Sequence, residues 1–374
     1  MPGDARERRA VPGLTLIRAA FAKTRFSRPH FTFAAVPDQT PRLPPLLECV
    51  ANVSEGRDRT VIARLAGAIA QTPNVQLLHT DSGVDANRTV FTFVGPPDSV
   101  GEAALALAAE AIACIDLRDY DGTHPYIGAL DVCPFVPLFG LPGSEALRIA
   151  EHVGQRLGER YRLPVYLYEQ SATRPAYVSL AAVREGGLPA VAKRYREALS
   201  GDLGEGPDFG PEGVHPTAGA SVVGARDILV AYNINLDTDD VRVARRIAKC
   251  IRASGNGRRL PGVRAIGWQQ PTFSCAQVSV NLTDYRRTGM GEVFRAVTEE
   301  ARALGHATAG SELIGLVPLV ALVNVPPAFG EAMMSVAGSV ARAVRVLGLD
   351  ALAPFDARAR VLEYAVADAL GHAS

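Results

Sequence analysis

The chain has 374 residues, 48% hydrophobic and 21% charged, an ordinary globular composition long enough for two or three compact units with separate cores. Its formal charge is zero, and because residues 1–44 hold eight Lys/Arg against three Asp/Glu, the remainder carries 31 basic and 36 acidic residues and offers no basic field for nucleic acid. Five scattered cysteines (Cys49, Cys114, Cys133, Cys250, Cys275) without a CxxC pair argue against a disulfide frame or zinc knuckle, and no apolar run reaches the roughly 18 residues that span a membrane; a soluble, cytoplasmic protein is expected.

Residues 1–44 are Arg-rich, broken by proline and poor in acids, with Phe21, Phe26, Phe31 and Phe33 scattered through them. They read as a disordered extension outside the fold, with a targeting segment or an interaction arm as alternatives. From Leu46 the pattern gives a strand (Leu46–Val53), a turn at Glu55-Gly56, a helix (Thr60–Gln71) and two strands (Val75–Thr80, Arg88–Val94). An Ala-rich helix (Ser99–Cys114) follows. The order recurs later as strand Ile228–Leu236, helix Asp239–Ala253, strands Val263–Trp268 and Ala276–Tyr285, helix Gly291–Leu304 and a short last strand. In the fourth of these, Ala276, Val278, Val280 and Leu282 alternate with Gln277, Ser279, Asn281 and Thr283, which predicts a sheet with one core face and one polar face. Thr238 and Asp239 are the cap candidates for the helix before it.

Two β-α-β-β-α-β units starting roughly 180 residues apart predict an α/β fold, an α+β sandwich of two ferredoxin-like subdomains with a ligand cleft between them. The expected division is 1–44 extension, 45–224 N-terminal subdomain, 225–330 C-terminal subdomain and 331–374 helical tail. The Gly- and Pro-dense stretch 201–213 reads as a loop crossing between the sandwiches, placed to touch a ligand.

The segment Gly122-Thr123-His124-Pro125-Tyr126-Ile127-Gly128-Ala129-Leu130-Asp131-Val132-Cys133-Pro134-Phe135 lacks a regular period and reads as a rigid, irregular run. It holds an imidazole, His124, near a carboxylate, Asp131, the residue types of general acid–base chemistry. Polar residues also end strands at matching places in the two units: Asn52, Ser54 and Glu55; Asp81, Asn87 and Arg88 around a turn; Asn233 and Asn235. They read as a shared binding face, or equally as caps and Asx turns. Arg88 could grip a substrate carboxylate in a bidentate pair or form a structural salt bridge. No phosphate loop, metal-spaced His/Cys pair or GxSxG elbow occurs.

The blocks Glu48 to Arg57, Asn87 to Gly95, His124 to Phe135, Pro164-Val165-Tyr166-Leu167-Tyr168, Pro207 to Pro211, Asn233-Ile234-Asn235-Leu236 and Gly310 to Pro318, in order and spacing, resemble the glutamate formiminotransferase family. The resemblance covers nearly everything from residue 46 onward. It implies transfer of a formimino group from N-formimino-L-glutamate to N5 of tetrahydrofolate, a co-substrate, with no metal and no membrane or nucleic-acid partner, by a homodimer that holds the folate in a tunnel between subdomains. By the same resemblance His124 is the catalytic histidine and Asp81 the supporting carboxylate, with Asp131, read from its nearness in the chain, as the weaker candidate. A folate-contacting loop matches Gly210, Pro211, Glu212, Gly213, Val214, His215, Pro216, Thr217, Ala218 and Gly219. Thr123 and Tyr126 flank His124-Pro125 where the family carries an acid and an arginine, Ala218 stands where it often carries tryptophan, and Ala51 where it carries proline. No cyclodeaminase segment is expected after Ser374. A related folate enzyme acting on 5-formyltetrahydrofolate or formylglutamate, and a non-catalytic folate-binding module, are the alternatives.

Overall fold

A period of two decides the first element. In the computed structural model, which describes residues 43–199, 206–211, 213–325 and 335–371, Leu46–Val53 is β1. Its Leu47, Cys49, Ala51 and Val53 enter one core, so Glu48, Val50 and Asn52 face the other way. Asp58 accepts from the Thr60 and Val61 N–H groups and starts α1 (Arg59–Ala70). β2 (Gln76–Gly83) and β3 (Arg88–Gly95) form a hairpin with Gly83 opposite Arg88. All eight residues of β3 are buried, as a strand covered on both faces must be. α2 (Pro97–Cys114) opens on proline; its small flank lets α3 (Gly143–Tyr161) approach until a Cβ on Gly101 would stand 3.4 Å from Ile149.

The run 122–135, expected to be irregular throughout, is irregular only in its first half. Its second half belongs to β4 (Leu130–Leu138), which pairs with β1 on one side. Burial on both faces hides the alternation there, and Pro134 and Pro137 donate nothing to the ladder, so the sequence looks like a turn where a strand runs. After β5 (Val165–Leu167), α4 (Leu180–Val183) and α5 (Gly187–Leu199), β6 (Ser221–Ala225) slots in parallel between β4 and β5. The first sheet has six strands in the order β2-β3-β1-β4-β6-β5, with α1, α2 and α3 covering one face.

The second sheet is antiparallel, in the order β10-β7-β9-β8, from β7 (Val230–Leu236), β8 (Val263–Gln270), β9 (Cys275–Leu282) and β10 (Thr308–Ile314). Read from β8, this is the order of β2, β3, β1 and β4. α6 (Val241–Ile251) and α7 (Met290–Ala303) pack on the face carrying Ala276, Val278, Val280 and Leu282. The cap of α6 is Asp240, which accepts from Arg242 N at 2.9 Å, and Thr238 supports it by accepting the Asp240 N–H at 3.1 Å. Beyond α8 (Leu319–Val323), α9 (Val336–Leu347) joins the second core. After α10 (Ala357–Arg360), α11 (Leu362–Ala369) returns to the first sheet, where Leu362 and Val366 meet Leu46, Val94, Val136 and Leu138. The fold is mixed α/β with two sheets. Among the described residues no helix is long and apolar enough to cross a membrane.

Candidate active site

The face of the first sheet turned away from α1–α3 meets residues of the second sheet around a cavity of about 950 Å³, its open mouth included. Val50, Val90, Val132 and Pro134 give it an apolar wall, while Asn281, Ile314 and Gly315 come from the other sheet. Four arginines (Arg88, Arg184, Arg226, Arg264), Glu48, Glu169 and His124 supply its charge and proton chemistry.

His124 sits in the loop before β4, half-buried but with surface toward the cavity. The loop is pinned at both ends: the Thr123 hydroxyl donates to Asp85 O at 3.0 Å, and Ile127 N donates to Asp131 Oδ1 at 2.8 Å. Gly128 passes so close to the residue before β6 that a Cβ there would lie 1.8 Å from Ala220 O. His124 Nδ1 is 2.8 Å from Pro125 O; since a carbonyl only accepts, Nδ1 carries the hydrogen and Nε2 keeps its lone pair. Burial, then Arg88 and Arg184, push the imidazole down to about 3 against the opposing pull of Asp131. At neutral pH this is a base, not a cation.

Asp131 is fully buried on β4. It accepts from Arg88 Nη1 at 2.5 Å and from Arg184 Nη2, in addition to Ile127 N. Burial pushes its carboxyl up, but Arg184 and Arg88 outweigh that and hold it below the usual carboxylate range. Asn52 Oδ1 accepts from Arg88 Nε at 3.1 Å and fixes the guanidinium plane. Two guanidinium groups thus share one carboxylate, and Arg184 Nε is buried without a hydrogen-bond partner. The cluster carries one uncompensated positive charge beside a neutral histidine.

Residues 46–226 match the formiminotransferase domain, N-terminal subdomain, and residues 231–367 match the formiminotransferase domain. The chain belongs to the formiminotransferase family. It is 40% identical over 280 residues to the glutamate formimidoyltransferase of Streptococcus pyogenes serotype M1, covering 75% of this chain and 91% of that protein. It is 43% identical over 332 residues to the formimidoyltransferase-cyclodeaminase of Sus scrofa, covering 87% of this chain. The match spans 60% of the pig protein's length.

Set against the family's expected site residues, the structure gathers some around the cavity and leaves others apart. His124, Arg88 and Asn52 line it, with Asp131 directly behind. Asp81 does not line the cavity but stands one hydrogen bond from it: on β2 it accepts from the N–H of Gly315, a lining residue, at 2.9 Å and lies 3.6 Å from Arg360 and 3.7 Å from His79, joining the first sheet to the end of β10 and to α10. Burial raises that carboxyl, but His79, the Gly315 N–H and Arg360 together keep it below its ordinary value. Asn87 has φ 46° and accepts from Gly56 N at 2.9 Å, a turn contact away from the cavity lining. Within the expected folate loop, Gly210 packs on α3 at Gly158; Pro211, Gly213, Val214, His215 and Pro216 border a second cavity with Tyr161 and Arg162. His215 Nδ1 accepts from Ala218 N at 3.0 Å, and Ala218 O and Gly219 brace the His124 loop through Ala129 N and Gly128. Thr217 closes the same turn, its O accepting from Leu117 N; Glu212 lies outside the described residues.

Asn233 and Asn235 are buried in a network on the polar face of the second sheet. Gln277 Nε2 donates to Asn235 Oδ1 at 2.7 Å and to Glu312 at 2.9 Å, Asn233 donates to Glu312 at 3.3 Å, and Trp268 Nε1 donates to Gln277 Oε1 at 2.6 Å. Trp268 then meets the His124 ring edge-on, centroids 6.3 Å apart, so the asparagines stand behind the residue that touches the histidine. Sequence reasoning missed Trp268, Arg184, Arg226 and Glu48 as site residues. Trp268, alone of its type in the chain and on a strand with a polar face, was a usable signal; Arg184 lies in a segment with no period or motif to mark it.

Proposed function

We propose that this chain transfers the formimino group of N-formimino-L-glutamate to N5 of tetrahydrofolate, giving 5-formiminotetrahydrofolate and L-glutamate, with His124 as general acid and base. The observation that carries the reading is a neutral histidine, its Nε2 lone pair free, beside a positive Arg88–Asp131–Arg184 cluster in a cavity between two sheets. The family relationship supplies the substrate class. As N5 attacks the formimino carbon, its proton passes to His124 Nε2. The adduct then collapses with cleavage of the bond between that carbon and the glutamate nitrogen, which takes the proton from the imidazolium. A donor carboxylate seated against Arg88 and Arg184 satisfies the spare Nε–H and offsets the charge that depresses His124, raising the imidazole toward its working range. Asp131 is the carboxylate that acts on His124, and Asp81 serves the joint between sheets.

We read the two β-α-β-β-α-β units as ferredoxin-like subdomains with the folate between them, on the strength of their matching strand orders and the apolar wall that suits a pterin and its aminobenzoyl group. The deciding assay incubates the purified protein with formiminoglutamate and tetrahydrofolate, and separately with 5-formyltetrahydrofolate with and without glutamate. Turnover is expected in the first mixture. Turnover confined to the formyl compounds, or folate binding without turnover in any mixture, sinks the reading.

A further inference from the structure

The cavity's charges do not balance at its far end. Asp131 answers Arg88 and Arg184, and Glu169 answers Arg264 at 2.8 Å. Arg226, just after β6, has no carboxylate at ion-pair distance among the described residues; it donates to Asp227 O at 2.8 Å, and its charge acts on the buried Tyr168 hydroxyl. Glu48 is near enough for the Arg226 charge to act on it, yet forms no ion pair with it. Burial pushes the Glu48 carboxyl up to about 7, Arg226 lowering it by less and Glu363 adding to the rise. Glu48 therefore leaves much of the Arg226 charge unanswered.

Strand register measures how far the backbone bearing this charge lies from the Asn52–Arg88–Asp131 group beside His124. Arg226 N donates to Phe135 O at 3.0 Å, and Glu48 pairs with Val136 across β1 and β4. The Asn52–Arg88–Asp131 group lies four residues further along the same strands, where Asn52 pairs with Val132. At about 3.3 Å per residue the two ends are roughly 13 Å apart. Formiminoglutamate, with two methylenes between its α-carbon and its far carboxyl, reaches only about half that span from its formimino carbon. A folate reaches it, because the aminobenzoyl bridge sets the glutamyl carboxylates at a comparable distance from N5. The walls between the two ends, Val50, Val132 and Pro134, are apolar, as that bridge requires.

We infer that Arg226 is a binding residue for a carboxylate of the folate's glutamyl tail, at the opposite end of the cavity from His124. The inference rests on the proposed folate reading and adds a substrate-specificity residue to it. It is tested on the full chain by equilibrium binding of tetrahydrofolate and of tetrahydropteroate, which lacks the glutamyl group, to the wild type and to Arg226→Gln and Arg226→Lys. Loss of a charge-assisted carboxylate contact is expected to weaken tetrahydrofolate binding about tenfold to a hundredfold in Arg226→Gln and less in Arg226→Lys. Tetrahydropteroate should bind wild type and variants alike. An equal loss for both ligands, no loss for either, or a rise confined to the KM of formiminoglutamate overturns the inference. Should Arg226→Gln fail to fold, Arg226→Lys, which keeps the charge and loses the bidentate fork, carries the same ligand comparison. Binding is read without turnover, so a wild type that binds folate but transfers no formimino group overturns the functional reading and leaves the Arg226 test standing.

Discussion

Asp131 and Asp81 are both ionised carboxylates in the first sheet, both near arginine and both held below their ordinary pKa. One is sealed at the back of the cavity between two guanidinium groups and sets the charge around His124. The other, partly open to solvent, holds β10 and α10 to the edge strand. In the function proposed above, the reacting end is built on β4 and the joint on β2.

The sharpest test of that division acts on the histidine itself. His124→Gln is expected to lower turnover by about 10²–10⁴-fold, the usual worth of a general acid–base group, with folding and folate binding retained. Near-normal turnover would break the assignment of the cavity's β4 end as the reacting end. Asp131→Asn should come next, because it leaves two buried guanidinium groups with one neutral partner: a destabilisation of about 3–5 kcal/mol, read as the urea midpoint, and loss of activity in whatever remains folded. Asp81→Asn keeps an acceptor for Gly315 N and gives up only the charge toward His79 and Arg360. Its expected destabilisation is about 1–2 kcal/mol, with kcat moved far less than by Asp131→Asn. If the two asparagine variants lose kcat equally, Asp81 belongs to the chemistry after all.

Much of this was legible in the sequence where one physical signal dominated. β1 was bounded to the residue by its alternation, and the polar and apolar faces of β9 followed from a strict period of two. The His124 segment stood out because glycines and prolines fix its turns. β4 was hidden because burial on both faces removes the alternation, and α11's return to the first sheet is a long-range packing choice with no local sign. The charge logic of the cavity was the least legible part. Arg184 reaches Asp131 from 53 residues away, and the isolation of Arg226 is defined by which carboxylates fail to reach it, which depends on the assembled sheets.

A comparison through pH sets the two ends of the cavity against each other. His124, held near 3 in the folded chain against 6.5 ordinarily, resists a proton that the unfolded chain accepts. Its contribution to stability is therefore full above 6.5 and is lost as pH falls from 6.5 toward 3. Glu48, raised from 4.5 to about 7, behaves oppositely: the folded chain keeps a proton that the unfolded chain releases, so its contribution is full below 4.5 and is lost as pH rises through 7. Asp81 and Asp131 also cost stability in acid, but only near and below 3.8, the ordinary carboxylate value. Between pH 4.5 and 6.5 the histidine and the glutamate should then pull in contrary directions. Urea midpoints measured across that window should show the wild type gaining on His124→Gln as pH rises and losing ground to Glu48→Gln. Parallel curves for both variants would mean that neither group is held away from its ordinary titration, and the division of the cavity into a basic reacting end and a protonated far end would fall with them.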